Sequence, residues 1–275
     1  MGFGPVHIVR GIKLNVELCK MLLSNFDFKN STVKIHGRNL SINAKDVERV
    51  MGLRCRGTEV DMNCSTDDPV LVDLKRRVCG DDTDISLKKL RGMILPTYDD
   101  EELWKVCFAL YALVTVFCSS RSCYVYPRLM VPLKNPGLIR THNWAGFVFS
   151  KLGKGVNAYQ SGEPIHVGGC LIFLQLFYLS VLGEKMFVFP SMCLHVLSWG
   201  QNECERMYQR IEEAGGFYAT DGVWVSRRNC GGRSCEYSGS VDYSTGLKTN
   251  VVDGRTEVRD GGCANCSWKF GNNNL

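Results

Sequence analysis

Four cysteines near the C-terminal end of the chain have spacings that occur in zinc sites. Cys230 and Cys235 are separated by four residues, and Cys263 and Cys266 by two. Structural zinc takes four thiolate or imidazole ligands, commonly supplied as close pairs. The first pair here is wide, and the glycine-rich stretch between the pairs shows no ribbon pattern. We expect free thiols, keep these four cysteines as the metal candidates of the chain, and predict no cofactor.

A cysteine nucleophile is the second chemistry that the residue types permit. It requires a histidine base and an orienting Asn or Asp side chain. Cys170 begins a predicted helix, whose N-terminus would lower the pKa of its thiol. The chain has five histidines: His7, His36, His142, His166 and His195. No local motif pairs any of them with a cysteine, and ordinary structural roles account for each, so we predict no catalytic residue and no enzyme activity.

Two glycine pairs invite comparison with phosphate-binding loops. Gly153-x-Gly155 and Gly168-Gly169 lack the Lys-Ser/Thr that completes a P-loop and the strand-to-helix context of a dinucleotide site. Helix boundaries explain these glycines, although each one inside a helix costs up to about 1 kcal/mol relative to alanine. We therefore predict no phosphate site and no small-molecule substrate.

A tight β-hairpin is predicted near residues 32–42, where apolar and polar side chains alternate on both sides of Gly37-Arg38. Glycine at the first central position suits a type II′ turn, whose twist matches that of the flanking strands. The resulting register has one apolar face, formed by these opposed pairs: Ile35 with Leu40 and Val33 with Ile42. The hairpin thus carries one apolar and one polar face.

The polar face of this hairpin is the predicted interaction surface of the chain. It carries Lys34, His36, Arg38 and Asn39, which we expect to be exposed to a partner. A short helix should follow directly, with Asn43 as its N-cap and Asp46 in its first turn. Gly52 should end that helix.

Helical periodicity dominates the chain up to residue 215. Apolar residues recur at helical spacing before the hairpin, after Asp100, after Asn143, after Gly169 and before Gly215. The apolar runs 103–118 and 167–182 each span about 16 residues, short of the roughly 20 that cross a bilayer. We predict a mainly α, multi-helix globular domain with buried core helices and no membrane span.

The composition changes beyond residue 215. Residues 216–275 are rich in Gly, Asn and Ser and contain few large aliphatic side chains. Such a segment buries too little apolar surface to offset its chain entropy. We therefore divide the chain into a helical domain, residues 1–215, and a disordered Gly-rich C-terminal tail, residues 216–275.

Composition agrees with an ordinary globular protein of 275 residues, 45% hydrophobic and 22% charged. The net charge of +5 is modest, and basic and acidic residues are interspersed along the chain. This charge pattern does not indicate a protein that binds nucleic acid or membranes. The 14 cysteines and the absence of a recognisable signal peptide favour reduced thiols in a cytosolic or nuclear protein.

The order of several short motifs resembles one plant family. The segments that carry it are Leu18-Cys19-Lys20, the run from Asn25 through the hairpin, Asp46-Val47 with Met51-Gly52-Leu53, the long apolar helix after Asp100, residues 143–148 (Asn-Trp-Ala-Gly-Phe-Val) and residues 169–179 (Gly-Cys-Leu-Ile-Phe-Leu-Gln-Leu-Phe-Tyr-Leu). They resemble the plant mobile-domain-like region, labelled aminotransferase-like, of transposon-derived proteins. The same region also precedes plant Ulp1-type SUMO-protease domains. The resemblance covers about residues 10–200.

The resemblance implies a function without supplying a catalytic signature. It points to a non-enzymatic interaction or scaffold module in the nucleus that binds a protein partner or chromatin and is linked to transposon silencing. The alternative is the N-terminal regulatory fragment of a Ulp1-type SUMO cysteine protease whose catalytic domain is missing. Nothing in the chain supports the pyridoxal chemistry that the family label suggests.

Overall fold

The computed structural model describes residues 3, 11–63, 68–80, 82, 84–94, 100–119, 124–162, 167–186 and 195–220. This part of the chain is mainly helical with one small sheet, which confirms the predicted fold class. The longer helices, in chain order, are α1 Val16–Ser24, α2 Ala44–Met51, α3 Pro69–Cys79, α4 Leu87–Met93, α5 Glu101–Ala112, α6 Trp144–Gln160, α7 Leu171–Met186 and α8 Gln201–Glu213. Short 3-10 segments cover Pro127–Leu133, Pro136–Thr141 and His195–Ser198.

The sheet has three antiparallel strands in sequence order, β1 Phe26–Asp27, β2 Thr32–Ile35 and β3 Arg38–Ser41. The predicted hairpin is confirmed, but its predicted register is wrong. Val33 lies opposite Leu40 and Ile35 lies opposite Arg38, so the two turn residues are His36 and Gly37. The turn is therefore displaced by one residue toward the N-terminus from the predicted Gly37-Arg38.

Helix α2 begins and ends as predicted. The Asn43 side chain accepts from Lys45 N at 2.9 Å, while Asp46 accepts from Asn43 N at 2.9 Å. These two bonds satisfy backbone donors that the first turn of a helix leaves unpaired. Gly52 ends the helix in the left-handed conformation, with φ 73°. Local residue types alone explain both ends of this element.

Helix α5 widens at its C-terminal end into a π-helical turn, Leu113–Phe117. Cys118 N donates to Leu113 O at 2.6 Å, and the Thr115 hydroxyl donates to Tyr111 O at 2.7 Å. The apolar spacing of this region does not distinguish an α-helix from a π-helical turn. The turn brings Phe117 against Phe3, with 5.8 Å between the ring centroids.

Helices α6 and α7 form the centre of the interior. Residues 171–180 of α7 are all buried, including Gln175, whose side chain accepts from Asn15 N and donates to Lys13 O. These two bonds satisfy a polar side chain that would otherwise be costly to bury. Helix α7 passes through Gly183 and continues to Met186.

Two glycines of α6, Gly153 and Gly155, allow other segments of the chain to contact the helix backbone closely. A Cβ at Gly155 would lie 1.9 Å from the carbonyl oxygen of Gly168, and one at Gly153 would lie 2.2 Å from the Phe28 ring. The absence of side chains therefore lets the segment before α7 and the loop after β1 approach the helix backbone. The predicted cost of these glycines to helix propensity is offset by this close contact.

The predicted tail begins at residue 216, but its first residues pack against the core. Phe217 is only 4% exposed and contacts both α7 and α8. The rest of the predicted tail, residues 221–275, lies outside the described residues. None of the described helices has the length and apolar content needed to cross a bilayer.

Candidate functional site

The hairpin turn is the site at which the predicted interaction residues meet the core. Both turn residues have positive φ angles, 45° at His36 and 77° at Gly37. Two consecutive positive φ angles are the signature of a type I′ turn, one of the two turn types that most often connect hairpin strands through two residues. Glycine adopts this conformation freely, and histidine is one of the few other residues enriched in it. The expected type II′ turn is therefore replaced by type I′.

The His36 side chain points into the protein, so its predicted exposure is wrong. The residue is 6% exposed, and both ring nitrogens have hydrogen-bond partners. Nδ1 lies 2.6 Å from Ala219 O, and Nε2 lies 2.8 Å from the Tyr178 hydroxyl. Because a carbonyl oxygen only accepts, Nδ1 donates to Ala219 and the neutral ring accepts from Tyr178 at Nε2.

An aromatic cluster surrounds this hydrogen-bonded pair. The Phe217 ring stands edge-on to Tyr178 at 6.1 Å and to Tyr208 at 6.0 Å, distances between ring centroids. Edge-to-face contacts of this kind add to the stabilisation from burial. The cluster joins α7 and α8 to residues 217–220, which we call the C-terminal strap.

Burial controls the protonation of the groups in this cluster. Burial raises the pKa of the Tyr178 and Tyr208 hydroxyls above the ordinary tyrosine value, so both stay protonated. Burial also lowers the pKa of His36, while its hydrogen bond to Ala219 O acts in the opposite direction. The Tyr208 hydroxyl has no hydrogen-bond partner among the described residues.

The remaining three predicted residues, Lys34, Arg38 and Asn39, are exposed. Lys34 and Asn39 are directly opposed across β2 and β3, so their side chains share the outer face of the sheet. Arg38 is opposed to Ile35 and belongs to the other face. We call these three residues the hairpin rim. The prediction that they and His36 form one polar face is wrong, because Arg38 lies on the other face of the sheet and the His36 side chain points inward.

Strand β3 is an edge of the sheet in the described part of the chain. The closing pair of a two-residue hairpin exchanges hydrogen bonds, and pairs then alternate along the strands. Asn39 and Ser41 occupy the alternate positions, so their backbone N–H and C=O groups point away from β2. Consistently, the N–H of Lys34, opposite Asn39, donates to Asn25 O on the other side of β2 at 2.9 Å. An open strand edge with exposed side chains is a surface on which an extended partner can pair.

The predicted cysteine and histidine candidates have structural roles where they are described. Cys170 is fully buried, and burial raises the pKa of its thiol, so the expected lowering by the helix N-terminus is wrong. His142 Nε2 donates to Pro132 O at 3.1 Å, and its ring stands edge-on to Trp144. The described part of the chain does not include His7, His166 or the side chain of His195.

A shallow cleft of about 110 Å³ lies between α3, α5 and residues 134–136. Its lining mixes apolar and charged side chains. Two of the charged ones form ion pairs, Arg77 with Asp100 at 2.6 Å and Lys134 with Asp68 at 2.8 Å. The N–H of Leu103 and the Arg77 guanidinium hold the pKa of Asp100 below its usual value. Pockets that enclose small-molecule ligands are typically about 300–1,000 Å³, so this cleft accommodates a side chain at most.

The metal candidates Cys230, Cys235, Cys263 and Cys266 lie outside the described residues. Within the described ranges, no group of three or more His, Cys, Asp or Glu side chains is arranged to hold a metal ion. The seven described cysteines are free thiols, and burial raises the pKa of several of them; for Cys19 and Cys107 the pKa reaches about 12.

Sequence reasoning missed the partners of His36. Tyr178 is 142 residues away in the chain and Ala219 is 183 residues away, so no local pattern connects them. One signal was available, since a His-Gly pair between two strand-like segments permits positive φ at both positions.

Comparison with known proteins gives one match. No curated protein and no solved structure shows a significant similarity to the chain. The model of one family, described as a domain of unknown function (DUF8566), matches residues 1–175 and so includes the sheet, α1 to α6 and the start of α7. Because this match covers more than half of the 275 residues, the chain belongs to the DUF8566 family of domains of unknown function.

Proposed function

We propose that this protein is a non-enzymatic interaction module whose partner surface is the hairpin rim and the adjoining open edge of β3. The observation that carries the proposal is the combination of a rigid turn and exposed polar groups. His36 anchors the turn from inside through two hydrogen bonds, while Lys34, Arg38 and Asn39 remain exposed. A surface fixed in this way loses little conformational freedom when a partner binds.

The charge of the rim indicates the chemistry of the partner. Lys34 and Arg38 are both cationic, and Lys45 at the start of α2 is also exposed. Nearby Asp46 is engaged in the N-terminal cap of α2 and in an ion pair with Arg49 at 3.0 Å. The partner proposed from this arrangement is an acidic segment of a nuclear protein or of chromatin. Its extended backbone would pair with Asn39 and Ser41.

The absence of enzyme activity is part of the same proposal. It is supported by the burial of Cys170, the structural hydrogen bonds of His36 and His142, and the small volume of the α3–α5 cleft. The lineage is also proposed: a transposon-derived plant protein acting in the nucleus, linked to transposon silencing, as the motifs of residues 10–200 imply.

Affinity purification from plant nuclei, with quantitative mass spectrometry, tests the proposal. The double variant Lys34→Glu, Arg38→Glu reverses the charge of the rim. The matched control is Lys88→Glu, Arg91→Glu, which makes the same change in net charge at two exposed cations of α4. We expect proteins or nucleosomes recovered with the wild type to fall about tenfold with the rim variant, about 1.4 kcal/mol of binding, and to persist with the control.

One further arm separates the partner classes. Nuclease digestion before capture removes a partner held through chromatin and leaves a direct protein partner in place. Equal recovery with the rim variant and the wild type would show that the hairpin is scaffold only and would overturn the proposal.

A further inference from the structure

We propose that Arg54, Arg56 and Arg140 form a binding site for a single phosphorylated side chain of a partner protein, which we call the arginine site. All three residues are exposed. They belong to two segments that the fold brings together, since Arg54 and Arg140 are 86 positions apart in the chain. None of them belongs to the hairpin rim, so this inference does not rest on the proposed function.

Backbone hydrogen bonds fix the position of the arginine site. Thr58 N donates to Thr141 O at 3.0 Å, and Asn143 N donates to Thr58 O at 2.8 Å. Ala145 N donates to the carbonyl oxygen of Arg54 at 3.0 Å. These bonds hold the two arginine-bearing segments side by side, so the site is formed before a ligand binds and little conformational freedom is lost on binding.

Gly57 lets the two segments approach more closely than a side chain would permit. Its φ is 113°, and a Cβ at this position would lie 1.9 Å from Thr141 O. Arg56 and Arg140 directly precede the two residues of this contact. Arg54 lies over the same point, because its Nη1 donates to Arg140 O at 3.4 Å and its Nε lies 3.7 Å from the position of the Gly57 Cβ. The contact therefore gathers all three arginines at one place.

The three guanidinium groups have no carboxylate partner in the part of the chain that the structure describes. Four other arginines do form ion pairs: Arg49 with Asp46, Arg76 with Asp73, Arg77 with Asp100 and Arg206 with Glu203. Like charges that are brought together repel each other. An anion bound between the guanidinium groups removes this repulsion.

Two acids stand beside the arginine site, and each already accepts a hydrogen bond from the backbone or a side chain. Glu48 Oε1 accepts from Cys55 N at 3.2 Å. Glu59 Oε1 accepts from Asn143 Nδ2 at 2.8 Å. Both carboxylates thus help to hold the arginine-bearing segment in place, and neither is paired with an arginine.

Positive charge exceeds negative charge at this site. Burial raises the pKa of the Cys55 thiol, Glu48 adds to this effect and Lys45 opposes it, so the charge of Lys45 also lies close to the segment. Asp46 is neutralised by its ion pair with Arg49 at 3.0 Å. Four positive charges, the three arginines and the lysine, therefore face the two negative charges of the glutamates.

A phosphorylated side chain matches this arrangement better than a carboxylate or a nucleic acid. Guanidinium groups bind phosphate oxygens through paired N–H donors, and arginine clusters are a recurring way to recognise phosphorylated residues. A phosphoryl group carries a charge of about −1.5 to −2 at pH 7 and three acceptor oxygens, whereas a carboxylate carries one charge. Nucleic acids are bound by cations spread along many phosphates, while here the cations meet at one point beside two carboxylates.

Peptide arrays test the arginine site with the full chain at neutral pH. The probes are peptides with degenerate flanks around a central phosphoserine, phosphothreonine or phosphotyrosine. The comparison peptides carry the unphosphorylated residue or glutamate at the same position. We expect at least one phosphorylated set to retain about tenfold more protein than its comparison peptides, which corresponds to about 1.4 kcal/mol of binding.

Neutralising the arginines should remove this preference. We expect the triple variant Arg54→Gln, Arg56→Gln, Arg140→Gln to bind phosphorylated peptides no better than unphosphorylated ones. The matched control removes the same net charge at three exposed cations of α3 and α4, and it should bind like the wild type. Its substitutions are Lys75→Gln, Lys88→Gln and Arg91→Gln.

Two further variants identify the chemistry of the site. Replacing all three arginines by lysine keeps the charge but loses the planar donor fork, so binding of phosphorylated peptides should fall about tenfold. The rim variant Lys34→Glu, Arg38→Glu should bind these peptides like the wild type. The arginine site and the proposed partner surface can therefore fail independently.

An NMR titration keeps the test decisive if the glutamine variant does not fold. The isotope-labelled wild-type chain is titrated with phenyl phosphate, and the Nε–H signals of the three arginines should shift in a saturable way. Absence of these shifts would overturn the proposal. So would equal recovery on phosphorylated and glutamate peptides, or tighter binding of a short DNA duplex than of any phosphorylated peptide set.

Discussion

The contact between α6 and the segment before α7 and the contact between the hairpin and the strap hold the chain together in different ways. At the first, glycines bring backbone against backbone, and buried apolar side chains fill the space around them. At the second, a few directional hydrogen bonds and edge-to-face rings join segments that remain exposed on one side. The first contact tolerates almost no added volume, while the second depends on the hydrogen-bonding groups of His36 and Tyr178.

This difference separates stability from recognition in the molecule. Close-packed interiors respond to a single methyl group, because neighbouring atoms cannot relax to accept it. A polar contact at the edge of the core can open locally at a lower free-energy cost than global unfolding. The hairpin side of the domain is therefore the side on which binding and regulation are expected.

The largest effect is expected at the contact between α6 and the segment before α7. Gly155→Ala places a methyl group 1.9 Å from the Gly168 carbonyl oxygen, a backbone atom that cannot rotate away. We expect a loss of about 3 kcal/mol in the free energy of unfolding, measured by urea titration. The control is Gly92→Ala in α4, where nothing lies within 4 Å of the new Cβ, and it should stabilise the chain by about 0.5–1 kcal/mol. Equal effects at both positions would mean that the close contact does not exist.

An intermediate effect is expected where the hairpin meets the core. Tyr178→Phe removes the hydroxyl that donates to the buried His36 Nε2, so this hydrogen bond is lost. We expect a loss of about 1–2 kcal/mol at pH 7.5, again by urea titration. Tyr126→Phe removes a hydroxyl from a side chain that is 55% exposed and should change stability by less than about 0.5 kcal/mol. If Tyr178→Phe were as stable as this control, the hydrogen bond between Tyr178 and His36 would not contribute to stability and the prediction would be wrong.

The smallest effect on stability is expected at the hairpin rim. Lys34→Glu with Arg38→Glu changes two exposed side chains and should shift the free energy of unfolding by less than about 0.5 kcal/mol. The same variant should still lose its partners. Circular dichroism melting should therefore show a stability close to that of the wild type, while affinity capture should show reduced recovery of partners. A decrease of several kcal/mol in the free energy of unfolding would instead show that the rim residues stabilise the fold.

Several elements follow from local residue types. Asn43, Asp46 and Gly52 are suited to the beginning and end of α2, and both ends are observed as predicted. The helical repeats that form α1, α6 and α8 were identified from apolar spacing, because one face of each must be buried. The existence of the hairpin also followed from alternation of apolar and polar residues.

The register of that hairpin and the placement of His36 did not follow from local residue types. Alternation of apolar and polar residues with period two does not decide between a turn at residues 36–37 and one at residues 37–38. The observed turn at residues 36–37 places Arg38 opposite Ile35. His36 is drawn inward by partners in α7 and the strap, more than 140 residues away. Likewise, Gly155 lowers the local helix propensity. Only the tertiary structure, in which the Gly168 backbone approaches this position, explains why a glycine is suited to it.

The amino-acid sequence by itself determined a mainly helical domain, one hairpin and the capped helix after it, because capping, turn and periodicity rules act between residues close in the chain. The tertiary structure decided which polar residues face the solvent. Hydrogen bonds and close contacts between distant segments outweigh the local preference of a single side chain. The hairpin rim is consequently Lys34, Arg38 and Asn39 around a buried His36.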